Sequence, residues 1–286
     1  MEPLGGIDWN EIWKEAQRKN RDSGKGGECW TSWADREAAE RYARTFAESP
    51  QGRKRIAEAL RMVRPAWRVL DIGAGPGAMA AACAKKAAQV TALEPAPGMA
   101  AVFMDAVRRE SLENIRLIRK RWEDIDPAAD LEAPYDLCFA SFSLGMLDLQ
   151  ASIEKMAQVS RRIVLYWHAG PQSFDEDAAA LSRMLQGAEH YPVPEGGVIF
   201  NLLYSMGIYP DVKVTRAKVR QVYDSFEDVF ALYARRFAAA SAAQQKALAG
   251  YLRGVFMPYE GKKVIRLTNK VSMRISFRPL RPLRGF

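Results

Sequence analysis

The stretch Val69-Leu70-Asp71-Ile72-Gly73-Ala74-Gly75-Pro76-Gly77 constrains the fold more than any other part of the chain. The run from Trp67 to Leu70 is short and apolar enough to be a buried strand, and Asp71 stands where that strand ends. Three glycines follow at alternate positions, and then an alanine-rich stretch, Ala78 to Ala88, with helical composition. Glycines in such a turn let the backbone adopt positive φ and let a ligand approach with no Cβ in the way. A second apolar run, Val90 to Leu93, ends in Glu94. An acid about 20 residues past the glycines is placed to accept both hydroxyls of a ribose. The pattern predicts an open α/β sheet that holds a nucleoside-containing ligand. The plain alternative is an ordinary βα turn followed by a surface glutamate.

Which nucleoside is decided by what surrounds the glycines. In the dinucleotide pattern G-x-G-x-x-G the third glycine falls on Ala78. Alanine can fill that place, so spacing alone leaves a nicotinamide or flavin enzyme open. Asp71 directly before Gly73-Ala74-Gly75-Pro76-Gly77, however, resembles motif I of the class I S-adenosylmethionine-dependent methyltransferases. Glu94-Pro95-Ala96-Pro97-Gly98-Met99 looks like the ribose-binding E-x-S-x-x-M segment of that family, with Ala96 where Ser is common. The resemblance covers residues 55 to 170 and is of the methyltransferase type 11/25-like, small-molecule kind. It implies a Rossmann-like, doubly wound α/β sheet of seven strands with the last antiparallel. It also implies S-adenosyl-L-methionine as cofactor and S-adenosyl-L-homocysteine as product.

Carried onto this sequence, the resemblance assigns cofactor contacts to Asp71, Gly73, Ala74, Gly75, Gly77, Glu94, Pro95 and Met99, and to Ser141 and Phe142 after the fourth strand. The family's adenine contacts lie in the loop after the third strand, Ile115 to Ile118. Aligned on Glu123-Asp124-Ile125, its usual acid falls on Arg121, a departure. Trp122 would then stack on or edge the adenine, with Glu123 a substitute acceptor; the alternative is a core tryptophan and a solvated acid.

Of the 286 residues, 48% are hydrophobic and 27% charged, which suits one α/β domain with extensions. No apolar run approaches a membrane span, and the N-terminus has neither the basic nor the apolar region of a signal peptide. The three cysteines, Cys29, Cys83 and Cys138, are odd in number and far apart. They read as reduced thiols of a cytoplasmic protein and not as a zinc site, and no metal is expected. The net charge of +8 is spread over scattered basic pairs with no aromatic stacking platform among them, which argues against a nucleic-acid partner. The tail Arg278 to Arg284 reads as a surface strap. A monomer or homodimer is expected.

Residues 1–50 read as an N-terminal helical extension, and 51–286 as the cofactor-binding domain. The extension holds an amphipathic helix from Ile7 to Arg18, a loop from Asp22 to Gly27, the Cys29–Trp33 segment and a helix from Asp35 to Glu48. Its tryptophans either pack the arm onto the sheet or, as the resemblance implies, lid the cofactor and lend Trp30, Trp33 or Tyr42 to a substrate pocket. A helix over Gly52 to Val63 leads into the first strand. Strands are also expected over Tyr135–Ala140, Arg162–Trp167, Val212–Tyr223 and Lys263–Phe277. Helices are expected over Met99–Arg109, Ile153–Ser160, Asp175–Gln186 and Gly197–Met206. A helical insertion, about 225–255, runs from Ser225 to Arg253.

After the fourth strand, Ser141 to Asp148 contains neither Asn/Asp-Pro-Pro-Tyr nor Pro-Cys. Those motifs mark family members that methylate bases or amides, so their absence favours a small-molecule pocket, with Ser143 among its hydroxyls. Methyl transfer from a sulfonium is an in-line displacement that needs mainly alignment and a dry site. His168, at the end of the fifth strand, is a candidate base or a structural histidine. Asp148 and Tyr166 are lesser candidates. The function expected is methyl transfer to an O or N acceptor on a small molecule. The alternatives are an RNA or protein methyltransferase, or a protein that binds the cofactor without transfer.

Overall fold

The computed structural model describes residues 6–23, 29–170 and 173–279. The expected glycine loop at 24–27 and most of the basic tail lie outside them. Strands β1 (Arg68–Ile72), β2 (Gln89–Leu93), β3 (Ile115–Ile118), β4 (Leu137–Ser141) and β5 (Ile163–His168) are parallel. The long strands β6 (Asp211–Tyr223) and β8 (Val264–Phe277) are antiparallel to each other, and β8 is antiparallel to β5. The spatial order is β3-β2-β1-β4-β5-β8-β6, a doubly wound Rossmann-like sheet. An eighth strand, the two-residue β7 (Met257–Pro258), pairs only with β8.

Alternation along the buried strands sends side chains to two cores. Val69, Leu137, Phe139, Val164 and Tyr166 meet α3 (Pro50–Met62), α4 (Ala78–Ala84) and α5 (Pro97–Arg109) on one face. Leu70, Ile72, Cys138, Ala140, Leu165 and Trp167 meet α1 (Trp9–Ser23), α7 (Leu149–Val159) and α9 (Gly196–Ser205) on the other. A four-residue helix, α6 (Pro127–Asp130), precedes β4. Helix α4 stops at Ala84, short of the expected Ala88, because Asn114 donates to the carbonyls of Ala84 and Ala87 and caps the end.

The arm before β1 is α1, a 3₁₀ turn at Cys29–Trp33 and α2 (Arg36–Glu48). Asp35 caps α2, accepting from the Ala38 N–H, and Ser49 ends α2 and caps α3, with Pro50 at its first position. Beyond β5, α8 (Ser173–Gln186), α10 (Phe226–Arg236) and α11 (Ala242–Val255) share a separate core around Leu181, Leu185, Val229, Leu248 and Leu252. The insertion is therefore two helices and not one continuous run. The chain turns at Ala238, with φ of 49°, and a Ser241/Gln244 capping box starts α11.

The register places this helical layer. Only Ser272 to Phe277 of β8 pair with β5, so Val264 to Val271, with the facing part of β6, overhang the C-terminal edge of the parallel strands. Open α/β sheets bind ligands at that edge. The extra helices stand on the overhang, with Val264 in their core.

Candidate active site

Everything the glycine turn does is set at the tip of β1. Gly73, Gly75 and Gly77 all have positive φ, 68°, 57° and 84°. A Cβ on Gly73 would lie 2.3 Å from the Ser143 Cβ, and one on Gly77 would lie 2.0 Å from the Phe103 ring. A Cβ on Gly75 would meet nothing within 4 Å. The first and third glycines are thus packed against the protein, and the middle one faces open space. The Ala74 N–H donates to the Leu93 carbonyl at 2.9 Å and ties the turn to β2.

Two carboxyls lie beneath this turn. Asp71, 1% exposed, has an Oδ2 atom buried with no hydrogen-bond partner. Burial pushes its carboxyl from the usual 3.8 up to about 7, and the nearby Glu94 adds to the rise. Glu94, 6% exposed, accepts the Gly75 N–H at 2.7 Å and the Ala96 N–H at 2.8 Å, one on each oxygen. Its pKa is also raised by burial, against the pull of those two donors. A carboxylate has about four lone-pair sites, so each oxygen keeps one for a ligand hydroxyl. An orphaned buried carboxyl beside an open glycine fits a cationic, hydroxyl-bearing ligand. Pro95 follows Glu94, and Met99 lies on α5 beneath the arm, packed with Ala39, Ala96, Trp30 and Trp33.

The loop after β3 departs from the expectation. Trp122 is 3% exposed, with its indole N–H on the Ser152 carbonyl at 3.2 Å, and it belongs to the core. The ring lies under the Lys155 ammonium, 5.2 Å from its centroid, and is covered rather than open to adenine in this structure. The turn that buries it is held by Lys155, whose ammonium donates to the carbonyls of Trp122, Glu123 and Ile125 at 2.9, 3.1 and 3.0 Å. Glu123 stays outside and lines a cleft of about 390 Å³ with Arg121, Leu147, Asp148 and Lys155.

The loop after β4 is fixed from the arm. The Trp13 indole donates to the Met146 carbonyl at 2.9 Å, Gln17 to Leu144 at 3.1 Å and Arg21 to Gly145 at 2.7 Å. Asp148 caps α7 by accepting from the Ala151 N–H, and also holds Asn10 and Lys14. Burial raises its pKa, but these partners outweigh that and leave it below the usual carboxylate range. It is a structural tie and a poor base, contrary to its place among the catalytic candidates. Ser143 is likewise a tie: its hydroxyl donates to the Ile72 carbonyl at 2.5 Å and keeps only its acceptor lone pairs for a ligand.

Beside the glycine turn, Phe142 holds a left-handed backbone, with φ of 56°, while its N–H donates to the Tyr166 carbonyl. Positive φ at a bulky residue is strained, and such strain gathers at functional sites. The Phe142 ring meets His168 edge-on at 4.7 Å and lies 4.3 Å beneath the Arg55 guanidinium. Arg55 donates to the Ser141 hydroxyl at 3.4 Å. The Tyr166 hydroxyl is buried without a partner, and burial pushes its pKa up to about 12, so it does not serve as a base near neutrality. His168 is half-buried at the sheet edge. On the arm, Trp33 packs on Tyr42 at 5.1 Å, and Tyr42 and Phe46 stack at 6.3 Å above Arg55. Arg55 and Lys155 escaped the sequence reading because both sit at helical positions where a charge reads as solvated.

Sheet order, glycine turn and strand-tip acid together define a class I methyltransferase fold. Residues 69–162 match the family model described as a methyltransferase domain. Two solved structures share the fold. The YcgJ protein from Bacillus subtilis aligns at a TM-score of 0.52 and 16% identity, over 77% of this chain and 97% of its own. A Bacillus halodurans C-125 protein, named provisionally as a methyltransferase, aligns at 0.53 and 12% identity, over 79% of this chain and 99% of its own. No curated protein matches the chain. Among the described residues, no helix is long and apolar enough to cross a membrane.

Proposed function

We propose that the chain transfers a methyl group from S-adenosylmethionine to an oxygen or nitrogen of a small molecule. The observation that carries this reading is the buried Asp71 carboxyl, with Oδ2 unpartnered, at the end of β1, followed by a glycine turn whose middle residue faces open space. Bound there, S-adenosylmethionine supplies an electrophilic methyl on a sulfonium and a second positive charge on its amine. Asp71 answers the amine by giving up its proton, and Glu94 accepts the ribose hydroxyls on its remaining lone pairs. Gly73, Ala74, Gly75 and Gly77 present backbone without a Cβ barrier at the middle position. Pro95 follows Glu94 toward the nucleoside, which Met99 would meet only if the arm that covers it moved, and Glu123 would offer an acceptor for the adenine amine. Trp122 has no part in this.

On the acceptor side, His168 stands at the tip of β5 beside Phe142 at the end of β4, where Ser141 and Phe142 are expected to meet the cofactor, while Trp30 and Trp33 of the arm pack on Met99 and Tyr42 stacks on Phe46. The arm, residues 1–50, thereby acts as a cover and residues 51–286 as the body. His168 takes the proton of an acceptor that is protonated at neutral pH; for an acceptor already free, alignment and exclusion of water suffice. The experiment uses methyl-tritiated S-adenosylmethionine and a cell extract, separated by size after nuclease and protease treatment. Label in the small-molecule fraction is expected. Label held by RNA or protein would sink the small-molecule reading, and binding of the cofactor with no label anywhere would sink transfer.

A further inference from the structure

Arg55 carries a guanidinium into the acceptor side of the site with no carboxylate to meet it. Among the described residues its only hydrogen bond is the 3.4 Å contact to Ser141, although the group offers five N–H donors. Its other neighbours are rings: Phe142 at 4.3 Å, Phe46 at 5.4 Å and Tyr166 at 5.9 Å. Burial lowers its pKa, and only the phenols of Tyr42 and Tyr166 pull the other way. The acid one turn along the same helix, Glu58, is taken by Lys213 at 2.7 Å. A half-buried cation held by ring faces and one long hydrogen bond keeps much of its desolvation penalty.

A second cation faces the same space. Lys270 lies on the β8 overhang, two residues before Ser272, which pairs with His168. Its side chain reaches solvent, yet it is crowded enough that burial lowers its pKa, and the Arg55 charge lowers it further. Arg55 lies over the ring of the strained Phe142, and Lys270 stands on β8 two residues from the partner of His168, near enough to Arg55 that the two charges repel.

We propose that Arg55 and Lys270 bind an oxyanion of the methyl acceptor, so that the substrate is a small molecule bearing a carboxylate or a phosphate. The planar Arg55 fork suits either group, and Lys270 adds a point charge from the β8 overhang. The anion anchors the acceptor at a distance from the atom that is methylated, against the Phe142 ring and beside His168. This rests on the methyltransferase reading above.

The test titrates inorganic phosphate and benzoate, with chloride as background, into protein saturated with S-adenosylhomocysteine. At least one probe is expected to bind, and its identity tells phosphate from carboxylate. Affinity should fall roughly ten- to hundredfold in Arg55→Gln, the loss expected for a charge-assisted hydrogen bond. Arg55→Lys should restore part of it, and Lys270→Gln should weaken it by a smaller factor. Affinity for S-adenosylhomocysteine should not change in any of these variants. Neither probe binding, equal binding by the native protein and the variants, or a probe that displaces S-adenosylhomocysteine would overturn the proposal. Should Arg55→Gln fail to fold, Lys270→Gln decides, since its side chain reaches solvent. A native protein that binds no S-adenosylhomocysteine removes the underlying reading and the proposal with it, and that titration is read separately.

Discussion

Gly73, Gly75 and Gly77 share a left-handed backbone but are held for different reasons. Gly73→Ala and Gly77→Ala drive a Cβ into Ser143 and Phe103, so both should lower the melting temperature, with loss of soluble protein. Gly75→Ala meets no protein atom and carries only the left-handed penalty of about 1–2 kcal/mol. It should fold and lose cofactor affinity, as calorimetry would read; unchanged affinity would argue that the open space is not the ligand's. Asp71 sets the pH behaviour. Its folded value is raised from 3.8 to about 7, so the free protein holds an extra proton in that window. The stability this gives is complete below 3.8 and is lost as pH rises through about 7. A cationic ligand reverses the preference, so S-adenosylmethionine should bind tighter as pH rises through about 7, releasing a proton. Calorimetry in buffers of different ionisation enthalpy would count that proton. Asp71→Asn should bind more weakly and flatten this slope. The glycines and both acids were legible in the sequence. Trp122 was not, because an aromatic residue in a loop reads alike whether it faces a ligand or the core.

At the level of elements, α1 does more than extend the chain. Trp13 is fully buried against Trp167, and its indole N–H holds the loop after β4. Trp13→Ala should cost about 3–5 kcal/mol, the range for a buried aromatic, and loosen residues 144–148. Faster amide exchange in that loop than in β2 or β3 is the expected sign; uniform change would mean the helix only packs. The amphipathic stripe of Trp9, Ile12 and Trp13 announced the helix. That Asn10, Gln17 and Arg21 would hydrogen-bond a loop more than 120 residues away was not legible, because local spacing carries no information on such pairings. The same holds for the Ser49 hinge. Its Oγ caps α3, so Ser49→Ala should cost roughly 0.5–2 kcal/mol, measurable by urea unfolding.

Across the whole molecule, two cores flank one sheet and a third stands on the overhanging antiparallel pair β6 and β8. In that third core Asp177 accepts from Tyr233 and Tyr251 and pairs with Arg266, all on different elements. Asp177→Asn leaves Arg266 buried without its charge partner and should cost about 3–5 kcal/mol. The loss should fall first on α8, α10 and α11, with the parallel strands still protected in hydrogen exchange. Simultaneous loss of protection everywhere would show that the helical layer and the sheet unfold as one unit.

The sequence by itself determined the positions of five short strands and two long ones, the glycine turn and the strand-tip acid, their directions being what the family resemblance implied. These rest on local period and turn chemistry, which act over a few residues. Tertiary structure alone decided which residues around the turn are free to act. It tied Ser143 and Asp148 into the fold, buried Trp122 beneath a lysine-capped turn, and brought Arg55 and Lys270 from opposite ends of the chain to one sheet edge. Burial and partner choice depend on contacts between distant segments, and only the folded chain sets those.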